Sequence, residues 1–233
     1  MTATYSPIVE LRRYTLNPGM REQLIDVFET HLVEGQERDG MTIIGQFRDL
    51  DDDNAFVWLR GFLDMEARRQ ALTDFYSGPV WLAHRETANA TMITFDDVHL
   101  LRPVDAGSGF APSPRDAAAG LITVNLVSVK GDAAAFAAWH AQNMLPLLRA
   151  AGSDVIARFV TEPSENTYPA LPVHGTPALA MFTRFAGLDA FEAFRARLGA
   201  MPEWQAAFKA ASQMIVGPPR TLKLIPTEKS ALR

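Results

Sequence analysis

The 233-residue chain contains no cysteine. That absence excludes disulfides, zinc–thiolate sites, iron–sulfur clusters and cysteine nucleophiles, and it fits a cytoplasmic protein. Positive charge is in short supply as well. The 22 Lys and Arg against 27 Asp and Glu leave a net charge of −5, which argues against a nucleic-acid partner. No apolar run is long enough to span a bilayer. The opening MTATYSPIVELRRYT enters a strand-like alternation without the basic and then apolar order of a signal peptide. G-x-G-x-x-G, a Walker loop and G-x-S-x-G are all missing, so nucleotide-dependent and serine-hydrolase chemistries lack their signatures. DLDDDN (49–54) is acidic but has neither the spacing nor the glycine of a calcium loop, and reads as a solvated turn. Neither a metal nor a cofactor is expected.

What is present is a globular composition, 48% hydrophobic and 21% charged, on a chain long enough to bury a core without staples. The chain also resembles itself. GMREQLIDVFETHLVEGQERDG (19–40) and GDAAAFAAWHAQNMLPLLRAAG (131–152) each run from glycine to glycine at a constant offset of 112. Leu24 falls on Phe136, Phe28 on His140 and Leu32 on Met144. Both read as amphipathic helices closed by a C-terminal glycine. Further on, FVWLRGF (56–62) lies against AMFTRFA (180–186), which sets Arg60 on Arg184. Pro79 and Trp81 in SGPVW then recur as Pro202 and Trp204 in GAMPEW. Ser77 is a candidate helix N-cap, and each proline suits a first helical turn.

Each copy reads strand, helix, strand, strand, helix, helix, strand. In the first copy the strands fall at 8–15, 41–48, 55–62 and 91–101, and the helices at 20–38, 65–76 and 79–89. In the second copy the strands fall at 121–129, 154–162, 177–185 and 216–225, and the helices at 133–151, 189–198 and 202–213. The fold class expected is therefore α+β, two tandem ferredoxin-like βαββαβ units. The units span 1–104 and 121–233, joined by a Pro/Gly/Ser-rich linker at 105–120, and the second carries a Pro-rich insert at 163–177. Two such sheets facing each other close into a barrel with a lumen suited to a small molecule. Leftover strand edges would be covered in a homodimer.

VELRRYTLNPGMREQL, FVWLRGFLDMEARRQALTDFYSGPVWLAHR and VHLLRP resemble a NIPSNAP-family domain, and ENTYPALPVHG (165–175) resembles the Pro-rich insert of bacterial tandem members. The resemblance covers nearly the whole chain and implies the dimeric α/β-barrel superfamily. That superfamily includes cofactor-free monooxygenases, haem enzymes and proteins of unknown role, so the fold alone does not fix a function.

The family's E-x-R-x-Y pattern falls on Glu10, Arg12 and Tyr14, alternate residues on one strand face. If Val9 and Leu11 meet the helices, these three enter the lumen, joined by Trp58 and Arg60. Such a pocket would hold an anionic or aromatic ligand, with Trp81 as a further wall. The bland alternative is an ion pair between Glu10 and Arg12 or Arg60. The second copy offers Ile122, Val124 and Leu126 as an apolar far wall. His31 and His140 sit on helical apolar stripes and read as core, with His140 a less favoured haem ligand. His174 lies in the long insert, from which it can reach over a barrel mouth as a general base. Two functions compete. One is a cofactor-independent enzyme, monooxygenase- or isomerase-like, with Glu10, Arg12 and His174 as catalytic residues and Tyr14, Trp58, Arg60 and Trp81 binding the ligand. The other is a non-catalytic ligand-binding or interaction protein. A haem-binding barrel ranks third. Whether the protein is an enzyme stays open at this level.

Overall fold

The computed structural model describes residues 6–111 and 118–233, so part of the expected linker, 112–117, lies outside the described residues. The chain order is β1 (Ile8–Leu16), α1 (Arg21–Val27), a π-helical turn (Phe28–Leu32), α2 (Val33–Arg38), β2 (Thr42–Asp49), β3 (Ala55–Phe62), α3 (Met65–Ser77), α4 (Pro79–Ala90) and β4 (Met92–Pro103). It continues with β5 (Leu121–Ser128), α5 (Ala133–Asn143), α6 (Leu145–Ala150), β6 (Asp154–Thr161), β7 (Ala178–Phe185), α7 (Leu188–Gly199), α8 (Pro202–Ala211) and β8 (Arg220–Pro226). The last strand starts four residues later than expected, because Gly217 takes φ 69° and two prolines follow it. Ser77 does not cap α4. It ends α3, its hydroxyl donates back to the Thr73 carbonyl at 2.8 Å, and Gly78 stands at the cap.

All eight strands form one closed antiparallel barrel in the order β1-β3-β2-β8-β5-β7-β6-β4. Taken by halves, the strands run 4-1-3-2 and 8-5-7-6, the same order twice. The halves join at two seams. Phe47 pairs with Pro226 at one, and Leu101 with Thr161 at the other. The barrel therefore closes between the unlike halves of a single chain, and every strand has two neighbours. Among the described residues, the closed barrel leaves no strand edge of the kind a homodimer was expected to cover.

Four of the five left-handed glycines are Gly19, Gly40, Gly131 and Gly152, with φ between 79° and 96°. Gly40 and Gly152 end their helices in the same way. Met41 N–H donates to the Gln36 carbonyl at 3.0 Å, and Ser153 N–H to the Leu148 carbonyl at 3.1 Å. Such a cap needs a residue that tolerates positive φ. At Gly40 an added Cβ would find its nearest neighbour 4.0 Å away, so a substitution there isolates the backbone cost. Gly40→Ala is expected to lose about 1–2 kcal/mol in urea unfolding. No loss would mean the cap is not held as described.

The centre of the barrel interior is apolar. Val9, Leu11, Phe47, Val57 and Leu59 meet Ile122, Val124, Phe159, Phe182 and Leu224 there, with Phe110 from the connecting segment and Leu232 from the tail added to them. Residues 105–111 are thus not a free linker, since Ser108 and Phe110 are buried. This packing corrects the register expected above. Val9 and Leu11 face the lumen, whereas Glu10, Arg12, Tyr14, Trp58 and Arg60 face the helices. The reason lies in the partners each side supplies. The lumen is enclosed by sheet on all sides and suits side chains that need no partner. The helix side brings Arg68 of α3 and Gln36 of α2 to the charged groups. Ile122, Val124 and Leu126 also point into the lumen, so they share the face of Val9 and Leu11 rather than that of Glu10. His31 is exposed rather than core and stacks on His84, with ring centroids 3.9 Å apart.

Candidate functional site

Two regions lie between sheet and helices, one in each half. In the first half, Glu10 is the hub of a fully buried ion cluster. Its Oε2 accepts from Arg12 Nη1 at 2.8 Å and from Arg60 Nε at 2.7 Å, and its Oε1 accepts from Arg68 Nε at 2.7 Å. The side chains of Glu10, Arg60 and Arg68 are 0% exposed. Burial opposes ionisation of Glu10, but the combined fields of Arg60, Arg12 and Arg68 outweigh it and hold the carboxyl far below the usual range. One carboxylate faces three guanidiniums, and aromatic faces meet the excess positive charge. Arg60 lies 5.0 Å from the Trp58 ring centre, and Arg12 lies 5.6 Å from both the Tyr14 and the Trp58 rings. Arg12 Nε also donates to the Tyr14 hydroxyl at 3.2 Å. Among the described residues, Arg60 Nη2, Arg68 Nη2 and Trp58 Nε1 have no hydrogen-bond partner.

The Pro-rich insert closes this half from outside. Arg68 Nη1 donates to Asn166 Oδ1 at 3.0 Å, Tyr168 stacks on Tyr76, and Leu171 enters the core. Tyr14, Trp81 and Tyr168 border a half-open recess of about 230 Å³, and a slot of about 30 Å³ lies deeper beside Trp58. Arg68 was missed in the sequence. It sits on a helix 58 residues from Glu10, and the one available signal was its place on the apolar side of α3 with Ala71, Leu72 and Phe75.

In the second half the corresponding space is a cavity of about 170 Å³. Phe136, His140 and Met144 of the first helical segment line it, with Phe194, Trp204 and Phe208 above and Thr123 and Thr183 on the floor. His140 is buried, and its Nδ1 has no partner among the described residues. Burial, reinforced by the positive field of Arg158, pushes its pKa down to about 4, so the ring is neutral near pH 7. Trp204 is a cavity wall as well as a core wedge.

His174 stands apart from both regions. It lies over the barrel mouth, with Nε2 3.0 Å from Asp97 Oδ1. The structure therefore brings Glu10, Arg12, Arg60, Tyr14 and Trp58 together and leaves His174 elsewhere. The acidic 49–54 turn is a paired one. Arg21 Nη1 donates to the carbonyls of Asp49 and Asp52 at 3.1 and 3.0 Å, Lys223 Nζ lies 2.7 Å from Asp51 Oδ1, and Asp49 is buried.

A closed eight-stranded antiparallel barrel with its helices outside, and with enclosed space under those helices, defines an α/β barrel. Residues 9–106 match the NIPSNAP family model. Full-length likenesses exist among solved structures. A candidate monooxygenase from Fusobacterium nucleatum subsp. nucleatum is 10% identical, with a TM-score of 0.60, over 95% of this chain and 93% of its own. A second candidate monooxygenase, from Lactobacillus acidophilus, is 15% identical at a TM-score of 0.55, over 95% and 94%. An anthrone oxidase-like protein is 12% identical at 0.57, over 97% and 94%. At these identities the likeness is one of fold. No curated protein matches the sequence. Among the described residues, no helix is long and apolar enough to cross a membrane.

Proposed function

We propose that the protein binds a small, neutral, single-ring aromatic molecule carrying a hydroxyl group, in the cavity of its second half. The observation that carries this reading is the buried, unpartnered Nδ1 of His140 in a cavity walled mainly by apolar side chains, with the hydroxyls of Thr123 and Thr183 on its floor. A buried polar atom without a partner is costly to leave unpaired, and a ligand hydroxyl would satisfy it. A dry cavity of roughly 150 Å³ takes benzene, so about 170 Å³ suits one substituted ring. It does not suit a haem macrocycle, and the haem reading of His140 fails on size. In this reading the chain is a tandem pair of ferredoxin-like units, supported by the repeated strand order and the matched left-handed glycines. The units lie on either side of the segment at 105–120, and the Glu10 cluster is structural, its carboxylate fully engaged. Among the described residues, one chain supplies the lining of this cavity.

An enzymatic reading is favoured by the oxygenase and oxidase descriptions of the full-length neighbours. His140 would be a weak base for it. With its pKa near 4, taking a proton from a phenol of pKa about 10 costs roughly 8 kcal/mol. The ring is better suited to accept a hydrogen bond and orient the ligand.

The experiment compares p-cresol with toluene by calorimetric titration. We expect p-cresol to bind about 10-fold more tightly, the worth of one hydrogen bond. That preference should vanish in His140→Phe while toluene binding persists. If neither compound binds, or if the preference survives the substitution, the reading fails.

A further inference from the structure

The geometry points to a second site, at the barrel mouth: a mononuclear site for a divalent transition-metal ion, built from Asp97, His99 and His174. This goes beyond the cavity reading and does not depend on it. The three residues each offer one ligand atom, and those atoms all lie within 4.8 Å of one another. His174 Nε2 is 3.0 Å and His99 Nε2 3.9 Å from the same carboxylate oxygen, Asp97 Oδ1. Donors bound to one ion at about 2.1 Å stand roughly 3.0–3.4 Å apart. One of these separations is already met; the others close with small rotations of both imidazole rings, His99 toward Asp97 and His174, whose side chain is 45% exposed, toward His99.

The scaffold is built for such a set. Asp97 and His99 are alternate residues of β4, so both point to the lumen side of a strand held there by β1 on one edge. His174 arrives from the insert 77 residues away, and its backbone N–H donates to the Val98 carbonyl at 2.8 Å. That bond clamps the third ligand onto the strand between the other two. Arg220 Nη1 donates to Asp97 Oδ2 at 2.8 Å, which leaves Oδ1 as a single, oriented donor, as outer partners of metal-ligating carboxylates do. The guanidinium also lowers the site's attraction for a cation, so moderate affinity is expected rather than the tightest.

Two imidazole nitrogens and one carboxylate oxygen select Zn²⁺, Fe²⁺, Co²⁺ or Ni²⁺ over Mg²⁺ or Ca²⁺. Three protein ligands leave at least one coordination position for water or a ligand. The sequence hides this set because two ligands sit on one strand and the third in a distant loop.

The test uses untagged, chelator-stripped full-length chain, titrated with Zn²⁺ alone by calorimetry and with Co²⁺ alone by visible absorption. One equivalent should bind. His174→Ala, on an exposed loop side chain, should weaken binding by more than about 10-fold, and His99→Gln should do likewise. His31→Ala, in the separate stacked His31–His84 pair, should leave it unchanged. Near-ultraviolet dichroism of His174→Ala matching the parent shows that the loss is one of ligation. No binding by the parent chain, full binding by His174→Ala, or loss on His31→Ala would each overturn the proposal.

Discussion

Glu10→Gln is expected to destabilise the protein by about 3–5 kcal/mol, the range for removing one partner from a buried ion pair. The carboxylate accepts from three guanidiniums at 2.7–2.8 Å with no exposure to solvent. Glutamine keeps the shape but removes the only negative charge in the cluster, leaving Arg12, Arg60 and Arg68 to repel one another away from water. Against a typical total of ~5–15 kcal/mol, that is a large share. The urea midpoint should fall with little change in slope, because the surface exposed on unfolding is unchanged. Arg68→Met should cost less, since Glu10 would keep two partners and the net positive charge would fall. Adding Arg68→Met to Glu10→Gln should recover part of the loss. A change below about 1 kcal/mol in Glu10→Gln would show that the cluster is not held together in solution.

The second large effect is a loss of stability in mild acid. His140 titrates near 4 in the folded chain because burial penalises its charged form, against about 6.5 when unfolded. Below pH 6.5 the unfolded chain therefore binds a proton that the folded chain refuses. Stability is fully present above pH 6.5 and falls until about pH 4, by roughly 3 kcal/mol in total. His99 shares this window, held near 4 by burial and by the neighbouring His174. His140→Phe isolates the share of one ring: its unfolding free energy should fall less steeply between pH 6.5 and 4 than that of the parent chain. Identical slopes would mean His140 is not buried in the neutral state. Glu10 contributes at lower pH, since its carboxyl lies far below its ordinary value.

Gly19, Gly40, Gly131 and Gly152 stood out in the sequence because a helix stop and a left-handed turn each demand that residue, and all four take positive φ. The element order followed from periodicity, and E-x-R-x-Y marked the residues that do come together around Glu10. What failed was the choice of face. Alternation says which residues share a side of a strand, but not which side is drier. Glu10 and Val9 are both buried, and a one-residue change of register exchanges them. The cavity beside His140 was invisible for a related reason, since it is the space left over when side chains from β5, β7, α5, α7 and α8 meet.

Taken alone, the sequence determined most of the elements, their order and the glycine-capped turns, because these depend on neighbours a few residues apart. Tertiary structure decided that the barrel closes within one chain, that the charged cluster lies under the helices, and that Asp97, His99 and His174 meet at the barrel mouth. Each of those depends on which distant groups can supply a partner to a buried charge or a surface to an apolar side chain. That is a property of closure in three dimensions, which no local spacing encodes.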